Sequence, residues 1–362
     1  MERLREDGIG LDELAQATRN HGMPLEALRA DITPAGLHYV LIHYDVPFLD
    51  ESTHALSLEG FDRPLSLTLD ELRSRPSVTM PVTFECAGNG RALFDARPFS
   101  QPWLLEAVGT AEWTGTPLAG VLHDVGVPAG TGELLFTGVD RGVEGGEEQS
   151  YERALSLDEA MRDEVLLVYA MNGRALAPQH GGPLRLLVPG WYGMTNVKWL
   201  ARIIALSAPY EGYQNAVAYR LRTDPDERGE PVSRMRVRSL MAPPGIPTFP
   251  ERERVVPSGP TTLEGRAWSG TAPIERVEVS VDGCERWSDA ALEPAPSPSA
   301  WHRWTFDWTA TPGIHEVACR ATDADGVTQP LEAEPNLGGY ANNAVHRVRV
   351  TVTDRPRRIS AS

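Results

Sequence analysis

The sequence predicts an α+β protein in which a mixed α/β domain is followed by an immunoglobulin-like β-sandwich. Three observations support this: helix-capping patterns lie in the first half, prolines crowd the middle, and the last part alternates short apolar runs with turn residues. The chain of 362 residues is long enough for about two to three domains. We predict two, residues 1–218 and residues 219–362.

Short helices and strands are predicted to share the first domain. Thr68-Leu-Asp-Glu71 and Ser156-Leu-Asp-Glu159 are capping-box patterns, in which the hydroxyl caps the first turn and the glutamate reaches back. β-Branched apolar segments bounded by Gly, Pro or Asn predict five strands. These strands span residues 39–46, 77–86, 165–170, 184–188 and 197–206.

The character of the sequence changes after Pro209. Eight prolines between residues 225 and 260 interrupt a stretch with little apolar periodicity, which predicts a long crossover instead of a packed element. Beyond it, strands are predicted at residues 274–281, 301–308, 314–322 and 345–352, with a hairpin signal at Asp282-Gly283. Four tryptophans in this region are expected in a sandwich core or a subunit contact: Trp287, Trp301, Trp304 and Trp308.

The composition is that of a soluble globular protein, with 41% hydrophobic and 23% charged residues. A net charge of -16 argues against a nucleic-acid partner or an anionic membrane surface, since both need a basic face. No segment approaches the roughly 20 apolar residues of a membrane span. Met1–His21 lacks the apolar run of an export signal. We therefore expect a cytoplasmic location, with a periplasmic one open if a leader has been removed.

The cysteines are sparse and odd in number: Cys86, Cys284 and Cys319, with no CxxC pair. Neither a disulfide framework nor a structural zinc site is expected. Cys86 stands out because the apolar segment Val82–Cys86 runs into the Gly-rich turn that ends at Arg91. A thiolate at such a strand end could be a nucleophile or a ligand for a soft metal. A buried, chemically inert cysteine is an equally serious interpretation of this position.

A second group of candidate residues combines a histidine, an arginine and a lysine. His180-Gly-Gly-Pro-Leu-Arg185 is followed by Asn196-Val-Lys198, and Lys198 is the only lysine among 34 basic residues. These residue types can hold a phosphate by charge-assisted hydrogen bonds. Each residue taken singly is more often a solvated charge or a satisfied loop partner. The sequence has no GxxxxGK[ST], GxGxxG, HExxH or GxSxG motif, which argues against the common nucleotide-binding, zinc-protease and serine-hydrolase sites.

Taken together, these two segments resemble the motifs of the sulfite oxidase family of molybdenum enzymes, a Cys-Ala-Gly-Asn turn and an HGxPxR strand followed by VKWL. Residues 39–47 resemble the family's first strand, and residues 339–350 resemble its last strand. The resemblance covers about residues 35 to 353. It implies a molybdopterin-binding domain followed by a dimerisation domain.

The resemblance implies molybdenum and molybdopterin as cofactors and assigns residues to them. Cys86 would be the one protein thiolate on the metal. The remaining residues would contact the pterin or its phosphate: Tyr39, His43, Asp140, His180, Arg185, Lys198 and the backbone at Asn196 and Val197.

On the substrate side the sequence departs from the family pattern. Arg91, Trp103 and Tyr219 match the family's arginine, tryptophan and tyrosine near the metal. Leu41 and Gly338 stand where sulfite-oxidising members have two further arginines. Losing two charged hydrogen bonds of about 1.5–3 kcal/mol each would weaken oxyanion binding by orders of magnitude. Another arginine, such as Arg220 or Arg347, could substitute for them.

The resemblance implies a sulfite dehydrogenase-like oxidoreductase that passes electrons to a separate acceptor such as a cytochrome, because no haem-domain motif is present. One alternative keeps the cofactor and changes the substrate to a less charged sulfur compound, an S-oxide or an N-oxide. The other is a non-catalytic binding protein on a degenerate fold. A small-molecule substrate and a homodimer are also expected by resemblance.

Overall fold

The computed structural model describes residues 10–249 and 251–354, without the side chain of Asp12. These residues form two compact units. The first comprises the described residues up to Met23, Pro34–Met235 and Pro335–Asn342. The second comprises Pro24–Thr33, Arg236–Glu334 and the described residues from Asn343 onward. The domain boundary at residues 218/219 stays a prediction. The main division between the compact units falls after Met235; in addition, Pro24–Thr33 belongs to the second unit and Pro335–Asn342 to the first.

The first unit contains short helices among longer strands. Its α-helices are α1 Leu11–Ala17, α2 Leu69–Arg73, α3 Leu118–Val125 and α4 Leu157–Ala160. Its strands are β1 Ala55–Glu59, β2 Leu65–Thr68, β3 Val78–Glu85, β4 Val108–Pro117, β5 Glu133–Glu144, β6 Glu147–Ser156, β7 Leu166–Met171, β8 Arg174–Ala175, β9 Arg185–Leu187, β10 Leu200–Leu206, β11 Arg220–Leu221 and β12 Glu230–Pro231.

Two five-stranded sheets organise this unit. One has the order β2-β1-β10-β5-β6, with β1 and β10 parallel and the other neighbours antiparallel. The other has the order β3-β4-β7-β8, with β9 paired to β7. One apolar core lies on the first sheet and α3, and a second is built around Phe84 and Trp113. The mixed α/β layer predicted from the sequence is confirmed.

Local sequence accounts for the two predicted helices. Thr68 Oγ1 accepts from the Glu71 N–H at 3.3 Å, and the Glu71 carboxylate accepts from the Thr68 N–H at 2.7 Å, so α2 begins with a complete capping box. At α4 the Ser156 hydroxyl caps the Glu159 N–H at 3.3 Å. The Glu159 carboxylate does not reach back; it accepts from Arg162 at 2.8 Å instead.

The prediction of a strand over residues 39–46 is wrong. Only Val40 pairs in sheet fashion, through an isolated bridge to His21. Backbone groups that would pair with a neighbouring strand are hydrogen-bonded to side chains instead. The Ile42 N–H donates to Asn20 Oδ1 at 2.7 Å, and the Leu41 carbonyl accepts from Lys198 Nζ at 2.7 Å. The segment is therefore irregular although its composition favours a strand.

The second unit is a β-sandwich. Its strands are β13 Arg238–Met241, β14 Ile246–Pro247, β15 Arg254–Pro257, β16 Gly259–Trp268, β17 Ile274–Ser280, β18 Ser288–Asp289, β19 Ala291–Leu292, β20 His302–Ala310, β21 Gly313–Asp323 and β22 His346–Thr353. One sheet has the order β13-β16-β20-β19, and the other has the order β14-β15-β22-β21-β17-β18. All four strands predicted from the sequence for this region are present.

Apolar side chains from both sheets fill the sandwich, with Trp304 and Trp308 at its centre. Trp301 is buried as well, whereas Trp287 lies under the guanidinium of Arg320, 4.2 Å from the ring centroid. The expectation of an unpacked crossover is wrong for residues 238–241, because β13 is buried throughout and pairs with β16. No helix in the described parts of the chain is long and apolar enough to cross a membrane.

Candidate functional site

Cys86 lies directly after the buried end of β3, at the start of a turn that hydrogen bonds hold on both sides. The Cys86 N–H donates to the Ala107 carbonyl at 2.9 Å, and the Cys86 carbonyl accepts from the Asn89 N–H at 2.9 Å. The Asn89 side chain donates to Glu85 at 3.0 Å and accepts from the Ala107 N–H at 3.1 Å. Gly90 completes the turn at φ +92°, where a side chain would be strained. The thiol is thus fixed in place, 8% exposed.

A cavity with about 710 Å³ of empty volume, part of it open to solvent, lies beside this thiol and is here called the inner cavity. Residues from β3, β5, β6, the irregular segment after His38 and the loops around β9 line it. Nine of the twelve site residues predicted from the sequence lie on its wall: Tyr39, His43, Cys86, Asp140, His180, Arg185, Asn196, Lys198 and Tyr219.

Positive side chains gather in part of the inner cavity. Arg185 donates to the carbonyls of His180 at 2.8 Å and Asn196 at 3.1 Å, and its guanidinium lies 5.0 Å from the Trp113 ring centroid. Lys198 Nζ donates to the carbonyls of Leu41 at 2.7 Å and Gln179 at 3.2 Å. Within the described residues, neither cation forms an ion pair with a carboxylate, so the cavity can accept an anionic ligand.

The pKa values of these groups are consistent with burial close to other positive charges. Burial, together with the positive charge of Arg185, lowers the pKa of Lys198 to about 7. Burial lowers the pKa of Arg185 to about 10. Burial and the neighbouring His38, Arg185 and Lys198 lower the pKa of His180 to about 3. A bound anion would offset all three shifts, since it favours the charged form of each group.

Several buried polar atoms of the inner cavity have no hydrogen-bond partner among the described residues. They are His38 Nε2, Asp140 Oδ1 and Arg185 Nε. Such atoms are costly to bury and usually have a partner. Burial raises the pKa of Asp140 to about 6, with Lys198 and His43 opposing the rise, and burial lowers the pKa of His38 to about 4. The cavity thus offers unfilled donors and acceptors to a polar ligand.

Sequence reasoning missed His38. Its ring fits against Gly109 on β4, where an added Cβ would lie 2.7 Å from the imidazole. The same logic applies to Gly138, whose added Cβ would lie 2.5 Å from Asp140 Oδ1. A glycine inside a strand is a signal of close approach, but the sequence does not say which side chain approaches.

Val197 is the predicted site residue that the structure keeps away from both cavities described here. Its side chain is in the apolar core. The N–H of Val197 already donates to the Thr195 carbonyl at 3.0 Å, and the N–H of Asn196 to the Gly193 carbonyl at 3.1 Å. The contribution predicted for the backbone at these two positions stays a prediction, and Asn196 lines the inner cavity.

A second cavity, here called the outer cavity, has about 1160 Å³ of empty volume. It contains the two remaining predicted residues, Arg91 and Trp103, and shares Leu41, His43, Cys86 and Tyr219 with the inner cavity. The Cys86 thiol and the Tyr219 side chain thus stand at the junction of the two cavities. Trp103 Nε1 is buried there without a partner among the described residues.

Protein groups already occupy most of the Arg91 guanidinium. Its Nε donates to the Gly338 carbonyl at 3.1 Å, and its Nη1 donates to Ser100 Oγ at 3.1 Å and the Gln101 carbonyl at 3.0 Å. The ring of Tyr340 lies 5.1 Å away in a cation–π contact. One terminal nitrogen, Nη2, remains to donate to a substrate. Burial raises the pKa of the Cys86 thiol, and Arg91 and the Gly88 N–H oppose that rise.

A carboxylate also lines the outer cavity. Glu144 Oε2 accepts from His43 Nε2 at 2.8 Å, the Tyr44 hydroxyl at 3.0 Å and Gln214 Nε2 at 2.7 Å. Although burial acts to raise it, these hydrogen bonds hold the pKa of Glu144 below its ordinary value. Besides Arg91, the other arginine on this cavity is the exposed Arg19. Arg220 does not line it; Arg220 Nε donates to the Arg228 carbonyl at 3.0 Å.

Comparisons with known proteins identify the family. Residues 43–214 match the oxidoreductase molybdopterin binding domain, and residues 232–353 match the Mo-co oxidoreductase dimerisation domain. Sulfite oxidase of Gallus gallus is 34% identical over 93% of this chain and 77% of its own length. The chain belongs to the sulfite oxidase family of molybdopterin oxidoreductases.

Other members of the family are similar at comparable levels. An NADH nitrate reductase of Ulva prolifera is 31% identical over 93% of this chain and 43% of its own length. The crystal structure of the sulfane dehydrogenase SoxCD from Paracoccus pantotrophus superimposes with a TM-score of 0.79, at 28% identity over 91% of this chain and 84% of that one. The chain therefore spans less than half of the nitrate reductase and most of the other two proteins.

The cofactors of this family are molybdenum and molybdopterin, and the residues of the inner cavity fit them. Unpartnered cations suit the pterin phosphate, and the orphaned acceptor Asp140 Oδ1 suits the pterin amino group. In the described part of the chain, no three His, Cys, Asp or Glu side chains come together as a metal site. The single thiol of Cys86 could serve as a protein ligand to a soft metal brought by the cofactor.

Proposed function

We propose that the protein transfers an oxygen atom between water and a sulfur substrate that carries little charge. The observation that carries this proposal is the loss of positive charge around the outer cavity. Leu41 lines the cavity without a charge, Gly338 provides only a carbonyl to Arg91, and Glu144 adds a negative charge. A dianionic substrate would meet one free nitrogen of Arg91 and the solvated Arg19, a weak basis for binding.

Bound at Cys86, the molybdenum cofactor would supply the two-electron chemistry of oxygen transfer. The chain's residues would do the rest. Cys86 would hold the metal at the junction of the cavities, and His180, Arg185 and Lys198 would hold the phosphate. Asp140 would accept from the pterin amino group, with Tyr39 and His43 beside it.

On the substrate side, Arg91 Nη2 would donate to the oxygen of the sulfoxide as charge develops there, Trp103 Nε1 would donate beside it, and Tyr219 would hold a proton at its hydroxyl. Oxidation of a thioether balances as thioether plus water giving sulfoxide, two protons and two electrons. The electrons would pass singly to a separate acceptor, for which a cytochrome is the proposed class.

Sulfite is the second candidate substrate. The 34% sequence identity to a sulfite oxidase, over 93% of the chain, supports it. The presence of Arg91, Trp103 and Tyr219 on the cavity beside Cys86 supports it as well. The low-charge proposal and the sulfite proposal share every cofactor-binding residue and differ only in what the outer cavity accepts.

A substrate panel separates the candidates. Purified protein from a host that makes the cofactor is assayed for reduction of ferricyanide with sulfite, thiosulfate and dimethyl sulfide, and for oxidation of reduced viologen with dimethyl sulfoxide and nitrate. The Cys86→Ser variant, matched for concentration, is the blank. The low-charge proposal expects kcat/KM for a neutral compound to exceed that for sulfite. A preference for sulfite or nitrate would overturn it.

We also propose that the protein is a cytoplasmic homodimer assembled through its second unit. The match of residues 232–353 to a dimerisation domain supports the assembly. Sedimentation velocity at micromolar concentration should give about twice the monomer mass of 39.6 kDa. A monomer at that concentration would contradict the proposal, and fractionation of the source cells would check the location.

A further inference from the structure

Arg153 on β6 is a buried cation that the cofactor and substrate roles above do not use. It is 3% exposed. Its Nη1 donates to the Gln214 carbonyl, while its Nε has no partner. Within the described residues, no carboxylate forms an ion pair with it. A buried charge without a countercharge is strongly destabilising, so its neighbours must account for its position.

An aromatic ring lies against this guanidinium. It lies over the ring of Tyr219, 5.4 Å from the centroid, in a cation–π contact. Burial lowers the pKa of Arg153, and the nearby phenols of Tyr151, Tyr219 and Tyr340 oppose that shift. The ring that this charge contacts therefore belongs to the tyrosine that stands at the junction of the two cavities.

Hydrogen bonds join the turn before Tyr219 to β6, next to Arg153. Gln214–Ala218 forms a π-helical turn, an element frequent at functional sites. Asn215 Oδ1 accepts from the Ala154 N–H at 3.2 Å, and Asn215 Nδ2 donates to the Ala154 carbonyl at 3.2 Å. Arg153 thus binds the first carbonyl of the turn and stacks on the residue that follows its last. One side chain spans the whole turn.

We infer that Arg153 is a positioning residue for Tyr219. Its guanidinium binds the Gln214 carbonyl at one end of the turn Gln214–Ala218 and stacks on the Tyr219 ring at the other end, and these two contacts hold Tyr219 at the junction of the cavities. This inference deepens the proposed function, on which it rests for the catalytic role of Tyr219. An arginine that only filled space would be replaceable by methionine without loss, since a well-packed apolar side chain is as good as a buried ion in such a place.

A double-mutant cycle tests the inference. Arg153→Met is measured alone and in a Tyr219→Phe background, with the best substrate of the panel. If Arg153 acts through the Tyr219 hydroxyl, its loss lowers kcat about tenfold or more in the native background and less than about twofold without the hydroxyl. KM should change little. Equal losses in both backgrounds, or no loss in either, would overturn the inference.

Hydrogen exchange gives a readout that does not depend on turnover. Peptides covering residues 214–219 should exchange faster in Arg153→Met than in the native protein, and Arg153→Lys should restore part of the protection because it keeps the charge. Unchanged exchange at residues 214–219 would overturn the inference that Arg153 holds the turn. Arg320→Met, which removes a cation–π arginine from β21, is the matched control.

Failure of the proposed function and failure of the role of Arg153 give different experimental results. If the native protein turns over no compound of the panel, the proposed function fails, and exchange at residues 214–219 still decides whether Arg153 holds the turn. If Arg153→Met does not fold, the cycle is run with Arg153→Lys, for which a smaller loss of kcat, again absent from the Tyr219→Phe background, is expected. Additive losses in that cycle would overturn the inference as well.

Discussion

Replacing Lys198 by methionine should loosen the cofactor. Lys198 Nζ lies 2.7 Å from the Leu41 carbonyl and 3.2 Å from the Gln179 carbonyl, so two neutral groups orient the ammonium without neutralising it. A phosphate would be the first anionic group to accept a hydrogen bond from it. Losing one hydrogen bond to a charged group costs about 1.5–3 kcal/mol, which corresponds to about 10- to 150-fold weaker binding.

Molybdenum content per chain is the measurement. Native protein, Lys198→Met and Lys198→Arg are purified from the same host, dialysed for increasing times and analysed by mass spectrometry of the metal. Lys198→Met should lose molybdenum first, and Lys198→Arg should lose less because it keeps the charge. Arg320→Met controls for removal of a cation elsewhere. Equal retention by native protein and Lys198→Met would refute the assignment of Lys198 to the phosphate.

The same lysine sets a pH dependence in the cofactor-free protein. Its pKa is about 7 when folded and 10.5 ordinarily. Between these values the unfolded chain binds more protons than the folded one. The free energy of unfolding should therefore rise with pH in this window, by at most about 1.4 kcal/mol per pH unit. In Lys198→Met this contribution is absent. Denaturant titrations that give parallel pH profiles for the two proteins would contradict the burial of this charge.

Three further outcomes are expected. Cys86→Ser should abolish turnover and leave the far-ultraviolet circular dichroism unchanged, and a fully active variant would exclude Cys86 as the metal ligand. Leu41→Arg should lower KM for sulfite by about 10- to 100-fold, because it adds one hydrogen bond from a charged group; an unchanged KM would show that charge at this position does not govern affinity. Asp140→Asn should flatten the stability profile of the cofactor-free protein between pH 3.8 and about 6. The folded state binds more protons there, so native stability falls as pH rises; a fall of equal size in Asp140→Asn would rule out Asp140 as its source.

Local sequence was sufficient for the elements whose bonds are local. The capping box at Thr68 closes between residues three apart, and the turn after Cys86 is held partly by Asn89 within the same motif. Residues 39–46 show the opposite case. Their backbone groups are taken by Asn20 and Lys198, the latter 157 positions away. No pattern within the segment reports such partners, so a strand-like composition led to a wrong prediction.

The same limit explains the site residues that the sequence did not reveal. His38 follows a loop and has no motif around it, and its role as an unfilled donor or acceptor depends on Gly109 of another strand. Arg153 reads as an ordinary charged residue of an amphipathic strand, and only the fold puts it over Tyr219. Glu144 ends β5, and its hydrogen-bond partners His43 and Gln214 come from distant parts of the chain. Motifs thus pointed to residues of both cavities, whereas residues such as His38 and Glu144 reach the cavities through long-range packing and carry no local signal.

The solitary lysine makes the inner cavity chemically addressable. Lys198 is the chain's single side-chain amine, and a pKa of about 7 leaves much of it neutral and nucleophilic at mildly alkaline pH. An amine-directed acylating reagent should therefore modify one side chain in cofactor-free protein. A bound phosphate would shield that amine, so the mass added to the peptide containing Lys198 would report the fraction of empty molecules directly.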